Sequence, residues 1–233
     1  TVRRNHCGRN IGHHRARAGI LAGNPIHEEM EAAADLAGLA FVLNVVVAEG
    51  GALVAAVAGG WRTAHAAGVE LVKARVGAAA VPSAVTLTSH GGYPLDQNLY
   101  QAIKGMVTAE ATTLPGGFIV LASACADGVG GEAFARTMEE MTDPADFYRR
   151  AERTPPDETI PDQWTSQILA RILANYRVLL VAEGLPPGTI LPPGLYLRGS
   201  LQEALDEALA EAGPDAKVTV VPDGARTLVL PPE

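Results

Sequence analysis

VPSAVTLTSHGGYPLDQNLYQAIKGM, residues 81–106, is the stretch that decides the fold. Val85 to Thr88 is short, β-branched and apolar, and reads as a strand. His90-Gly91-Gly92-Tyr93-Pro94 supplies loop chemistry, and Asp96 to Ala111 carries helical spacing. Strand, loop and helix in that order make the repeating unit of a parallel sheet, because parallel neighbours need a long crossover. The alternation recurs toward the C-terminus. Phe118 to Ala122 predicts the next strand, and Gly128, Gly130 and Gly131 open a helix. Helical stretches at Pro144 to Arg153 and Asp162 to Asn175 precede a third strand at Val178 to Ala182. Leu185 to Gly194 reads as a rigid connector, Ser200 caps a helix to Ala212, and Val218 to Val221 ends the series. The expectation is an α/β protein whose parallel-sheet domain spans residues 81–233.

Toward the N-terminus the pattern differs. Asn24-Pro25 fits an N-cap and first helical position, predicting a helix to Ala37 that ends at Gly38. Phe41 to Val47 and Leu53 to Val57 flank Glu49-Gly50-Gly51 and predict a β-hairpin. Trp61 to Val76 has helical spacing. Residues 1–80 therefore read as the tail of a second, preceding domain, a β-hairpin plus helices, with the boundary near Val81. The chain opens on Thr1, not Met, with a charged irregular segment, and reads as a fragment entered partway.

Hydrophobic residues at 48% and charged residues at 19% are globular proportions, so the chain should fold. A net charge of -8 argues against nucleic acid, whose phosphates demand clustered Lys and Arg. No apolar run is long enough for a membrane span. Two cysteines, Cys7 and Cys125, make no disulfide framework, and a cytoplasmic setting follows as the default. Cys125 reads as an exposed loop thiol with a structural role, since no nearby His activates it.

The chemistry gathers on the helix after the Gly-rich loop. In a parallel sheet, ligands settle past the carboxyl ends of the strands, where such a loop enters a helix. Gln97, Gln101 and Lys104 fall at i, i+4 and i+7, so one face would present two amides and an ammonium, with Tyr100 beside them. Asp127-Gly128-Val129-Gly130-Gly131 is not G-x-G-x-x-G, which weakens a nicotinamide-dependent dehydrogenase. The simplest alternative to an enzyme is a non-catalytic α/β module that binds a small carboxylate.

The run GGYPLDQNLYQAIKGM, residues 91–106, resembles the segment of the nickel-pincer-nucleotide-dependent lactate racemase family that closes over cofactor and substrate. Further matches follow in order: residues 23–30 (GNPIHEEM), 41–46 (FVLNVV), 124–131 (ACADGVGG) and Gln163-Trp164. The likeness covers about residues 5 to 180. It implies a 2-hydroxyacid racemase or epimerase that works by hydride transfer through a 2-keto acid. Its cofactor would be a nicotinate-derived nickel-pincer nucleotide, mostly held by a missing N-terminal half. By the same resemblance His6 is the nickel ligand, and Tyr100, Gln101 and Lys104 contact substrate or cofactor. Lys104 would pair with the carboxylate of a small 2-hydroxy acid, Gln101 would orient a hydroxyl or cofactor carboxyl, and Trp164 would close the pocket. The family's tethering Lys and two acid/base His belong upstream, so the chain alone is expected to be inactive.

Overall fold

The structure is a computed structural model that describes residues 2–230; Thr1, where the sequence reads as entered partway, and residues 231–233 lie outside it. Two short helices, α1 (Val2–Asn5) and α2 (Gly8–Gly12), lead through an irregular segment to α3 (Pro25–Leu36). Asn24 caps α3 by accepting from the Ile26 N–H, with Pro25 just inside, as its sequence requires. Strands β1 (Val42–Val47) and β2 (Leu53–Gly59) form an antiparallel hairpin that is a sheet to itself. Helix α4 (Trp61–Val76) packs on one face of it.

From residue 83 the chain becomes a parallel α/β layer. Its strands are β4 (Ser83–Ser89), β5 (Thr113–Ala122), β6 (Arg177–Val181), β7 (Leu195–Leu197) and β8 (Val218–Val221). They lie in the order β7-β6-β5-β4-β8, with every neighbouring pair parallel. The connections carry α5 (Leu99–Glu110), α6 (Glu132–Glu140), α7 (Pro144–Arg153), α8 (Gln163–Asn175) and α9 (Leu201–Ala212). Side chains alternate along β5. Ile119 and Leu121 enter the core shared with α5 and α8, whereas Phe118 and Val120 meet Ala204 and Ala208 of α9. Both faces are covered, which is why the strand is an unbroken apolar run rather than an alternating one. Burying each such aliphatic side chain stabilises by roughly 1.5–3 kcal/mol.

Two contacts tie the N-terminal segment to this layer. Helix α2 seats on α7 and α8, where a Cβ on Gly8 would stand 1.6 Å from the Ala151 carbonyl oxygen, so the approach requires glycine. Gln167 of α8 donates to the Gly8 carbonyl at 2.8 Å. At the other end, β9 (Leu228–Leu230) pairs in parallel with β3 (Gly77–Ala79), a two-stranded sheet that the sequence did not signal. Cys125, expected to be exposed, is fully buried in the core between α5 and α8, and burial pushes its thiol pKa up. The thiol is therefore sealed rather than available.

Candidate functional site

The helix carrying the candidate residues starts later than the sequence suggests. Asn98 is its cap, accepting from the Gln101 N–H at 3.0 Å. Residues 96 and 97 stay in the loop because the turn after β5 claims them. Asp96 is buried and accepts from the Cys125 N–H at its carbonyl and from the Ala124 N–H at its carboxylate, and the Gln97 carbonyl accepts from Asp127. The expected face of Gln97, Gln101 and Lys104 thus loses Gln97, which does not line the groove, and keeps Gln101 and Lys104 one turn apart.

The expected ligand crevice at the strand ends is also closed. The first amides of α5, at Leu99 and Tyr100, donate to the carbonyls of Gly128 and Val129, so they are spent on the protein itself. Across β4, the turn after β8 folds over the gap. Ser89 Oγ donates to the Pro222 carbonyl, and Thr108 Oγ1 donates to the Gly224 carbonyl at 2.6 Å. Gly91, at φ +74°, packs against Asp223, where a Cβ would fall 2.6 Å from Oδ1. The cavity opens instead on the outward face of α5, between that helix, α8 and residues 6–26.

This cavity, of about 540 Å³, gathers His6, Tyr100, Gln101, Lys104 and Trp164 into one wall. Trp164 is the hinge of the group. Its indole N–H donates to the Tyr100 hydroxyl at 3.2 Å, and its ring meets the His6 imidazole edge-on, 5.7 Å between centroids. Tyr100 is steadied from behind by Phe134, edge-on at 5.3 Å. His6 is brought there by α1 and α2, with Asn5 donating to the Ile26 carbonyl at 3.0 Å to fix the strand of chain around it.

Burial holds the His6 pKa below its ordinary value, so the imidazole is neutral near pH 7. Its Nδ1 is buried with no hydrogen-bond partner, an orphaned polar atom aimed nowhere in the protein. A neutral imidazole with an unused nitrogen is the form that binds a transition metal. Among the described residues no group of three or more His, Cys, Asp or Glu could hold a metal ion.

The electrostatics of the wall escaped the sequence reading. In a chain of net charge -8, the cavity is lined by three cations, Lys104, Arg17 and Arg171, and by no Asp or Glu. Arg171 is neutralised from outside the cavity by Glu110, through two bonds at 2.9 and 2.7 Å. Its charge in the middle of an apolar helix, LARIL at residues 169–173, is the signal that could have revealed it. His90, in the loop directly after β4, is fully buried; its Nδ1 accepts from the Gly105 N–H at 3.1 Å and its Nε2 has no partner. Burial, then the Lys104 charge, lowers its pKa.

The family model described as the lactate racemase C-terminal domain matches residues 78–229. The chain belongs to that family. The lactate racemase of Lactiplantibacillus plantarum is 42% identical over 229 residues, 98% of this chain and 54% of the relative. The lactate racemase of Thermoanaerobacterium thermosaccharolyticum is 43% identical over 225 residues, 97% of this chain and 53% of the relative. The structure of the lactate racemase apoprotein from T. thermosaccharolyticum superposes with a TM-score of 0.92 at 42% identity, over 100% of this chain and 55% of that one. A Thermotoga maritima protein with a TM-score of 0.60 and 16% identity, over 90% of this chain and 54% of its own, shares the fold alone. The chain of this lactate racemase family member thus spans about half the length of the curated relatives it matches. Among the described residues, no helix is long and apolar enough to cross a membrane.

Proposed function

We propose that this chain is the closing half of a cytoplasmic 2-hydroxyacid racemase of the lactate type, completed by an upstream half that holds most of a nickel-pincer nucleotide. The observation that carries the reading is the acid-free cavity that unites His6, Tyr100, Gln101, Lys104 and Trp164 in a chain similar throughout to lactate racemases. Residues 1–80 would belong with the upstream domain, and residues 81–233 would form the lid-side domain, with the join near Val81.

When bound, the cofactor supplies the acceptor for the hydride that leaves C2 of the substrate. The residues of this chain would then do the rest. His6, which lines the cavity, would offer an imidazole nitrogen to the nickel. Lys104 offers its ammonium to an anionic oxygen, a contact that strengthens as the closed site sheds water. Gln101, one turn away on the same face, offers an amide that orients a hydroxyl or carboxyl. Trp164, held by the Tyr100 hydroxyl, lays an aromatic wall against the pocket and would exclude bulk water from the space where the hydride moves. A carboxylate-binding module would use the same cations; it differs in never interconverting D- and L-lactate.

The test joins this chain to an upstream half of the lactate racemase kind and measures racemisation with nickel content. Lys104, exposed in this chain alone, would be covered by the upstream half, and Lys104→Ala should then lower kcat/KM by roughly one and a half to four decades, as expected for about 2–5 kcal/mol when a carboxylate loses its partner in a closed site. Nickel content should stay near normal in that variant and fall in His6→Ala. Full activity in Lys104→Ala, or full nickel retention in His6→Ala, would remove the corresponding role.

A further inference from the structure

Arg17 stands in the same cavity and is not used by the reading above. It lies in the irregular segment between α2 and α3, half-buried, with Nη1 donating to the carbonyls of His13 at 3.2 Å and Ala16 at 3.0 Å. Those two bonds fix the guanidinium and leave the donors on Nη2 and Nε. Among the described residues no carboxylate pairs with it. Glu110, the acid closest to serving it, is already held by Arg171 through both oxygens. Arg17 therefore carries its charge into a partly desolvated place beside a second guanidinium. Burial first, and Arg171 next, press its pKa down. A fixed arginine without a counter-ion is an unsatisfied demand for an anion.

Arg17 also separates two cavities, the 540 Å³ one and a neighbour of about 320 Å³, and lines both. The neighbour holds the Glu110 end of the Glu110–Arg171 pair and no cation besides Arg17; the larger holds the Arg171 end together with Lys104, and no acid. The charge of the two walls decides the side. We propose that Arg17 is an anion-binding residue of the larger cavity, holding a carboxylate or phosphate oxygen of the ligand through the guanidinium edge that its backbone bonds leave open. Lys104 and Arg17 then give the cavity two cationic contacts, so it favours molecules with two anionic groups over those with one. The proposal takes the ligand cavity and the Lys104 contact from the racemase reading and rests on that reading for both.

Binding to the 233-residue chain tests it, by calorimetry or by amide chemical shifts at low ionic strength, with pyruvate, inorganic phosphate and nicotinate mononucleotide as probes. The first carries a carboxylate alone, the second a phosphate alone and the third both. Arg17→Ala should weaken at least one single-anion probe, and nicotinate mononucleotide with it, by roughly tenfold to a hundredfold. The probe that suffers identifies the group: loss with pyruvate assigns a carboxylate, loss with phosphate assigns a phosphate. Arg17→Lys should recover part of the affinity, because the charge returns without the fork. Arg17→Gln keeps a donor for the His13 and Ala16 carbonyls but no charge, so it should bind as poorly as Arg17→Ala while unfolding like wild type. Equal affinity in Arg17→Ala and wild type, recovery by Gln as good as by Lys, or no binding of any probe to wild type would each overturn the proposal. Lys104→Ala measured beside it separates the two readings: a loss there with none in Arg17→Ala leaves the Lys104 role standing and removes this one, and the reverse removes the Lys104 role alone.

Discussion

The hairpin and the parallel sheet are written in nearly the same alphabet and end in opposite environments. VLNVVV at residues 42–47 and FIVLA at residues 118–122 are both β-branched, apolar runs. In the sheet, Ile119 and Leu121 are wholly buried; in the hairpin, Leu43 and Leu53 are each 66% exposed, and Val45 and Val47 stand open beside them. The reason is layering. Helices α5 and α8 close one face of the sheet and α9 the other, whereas α4 closes a single face of the hairpin. Before Val85, the buried apolar side chains among the described residues are Cys7, Ile11 and Ala64. An apolar pattern tells which element forms; what covers it depends on what the rest of the protein brings. That exposed face is where we propose the upstream half would lie.

The contrast is sharpest in the ion pairs. Glu110 of α5 and Arg171 of α8 pair almost out of water, while Asp35 and Arg62 pair on the open surface of the first 80 residues. Removing one partner of a buried pair strands the other, so Glu110→Ala should destabilise the chain by about 3–5 kcal/mol. Asp35→Ala should leave the urea midpoint close to wild type, because an exposed pair returns to water when broken. Equal midpoints for the two variants would show that the layer around Arg171 is as wet as the hairpin region.

A second pair of variants probes the apolar half of the same comparison. Leu121→Ala opens a cavity in a packed core and should cost about 2–5 kcal/mol. Leu43→Ala removes a side chain that already faces solvent in the 233-residue chain, and should change unfolding by less than about 0.5 kcal/mol. Joined to an upstream half, Leu43→Ala should become costly. A Leu43 effect that is the same with and without that half would break the idea that the hairpin face is an interface.

The same distinction explains what the sequence could disclose. Where a helix end is capped by its own side chain, its boundary was legible: Asp143 caps α7 and Ser200 caps α9, each accepting from the third residue on, and both helices fall on the expected residues. Where long-range hydrogen bonds decide, it was not. Asp96 and Gln97 looked helical but are held by residues 124–127, and the three-residue strands β3, β7 and β9 exist through their partners rather than their own propensity. The site divides likewise. Gln101 and Lys104 share a face because of helical spacing, which also set Tyr100 beside them, and His6 and Trp164 came from the family likeness. Arg17 and Arg171 join them across the fold, over 150 residues apart in sequence, where no local pattern reaches.

A further effect concerns His90, and it puts a pH dependence on the buried side of the comparison. In the folded chain the ring is wholly buried, its Nδ1 takes the Gly105 N–H, and Lys104 repels a second proton, so its pKa lies below the ordinary 6.5. In the unfolded chain nothing opposes protonation. As pH falls through 6.5, the unfolded state therefore binds more protons than the folded one, and stability drops; above 6.5 the contribution is fully present. One such group changes unfolding free energy by at most about 1.4 kcal/mol per pH unit. His6, lowered by its own burial, slopes the same way, so His90→Gln should flatten the decline between pH 7 and 5 without abolishing it. The slope, not the midpoint, is the readout, because replacing a fully buried ring lowers stability at every pH. Lys104→Ala gives the converse check: with the repelling charge gone, the His90 pKa rises and the decline becomes shallower, and an unchanged slope in both variants would place the pH dependence elsewhere than this ring.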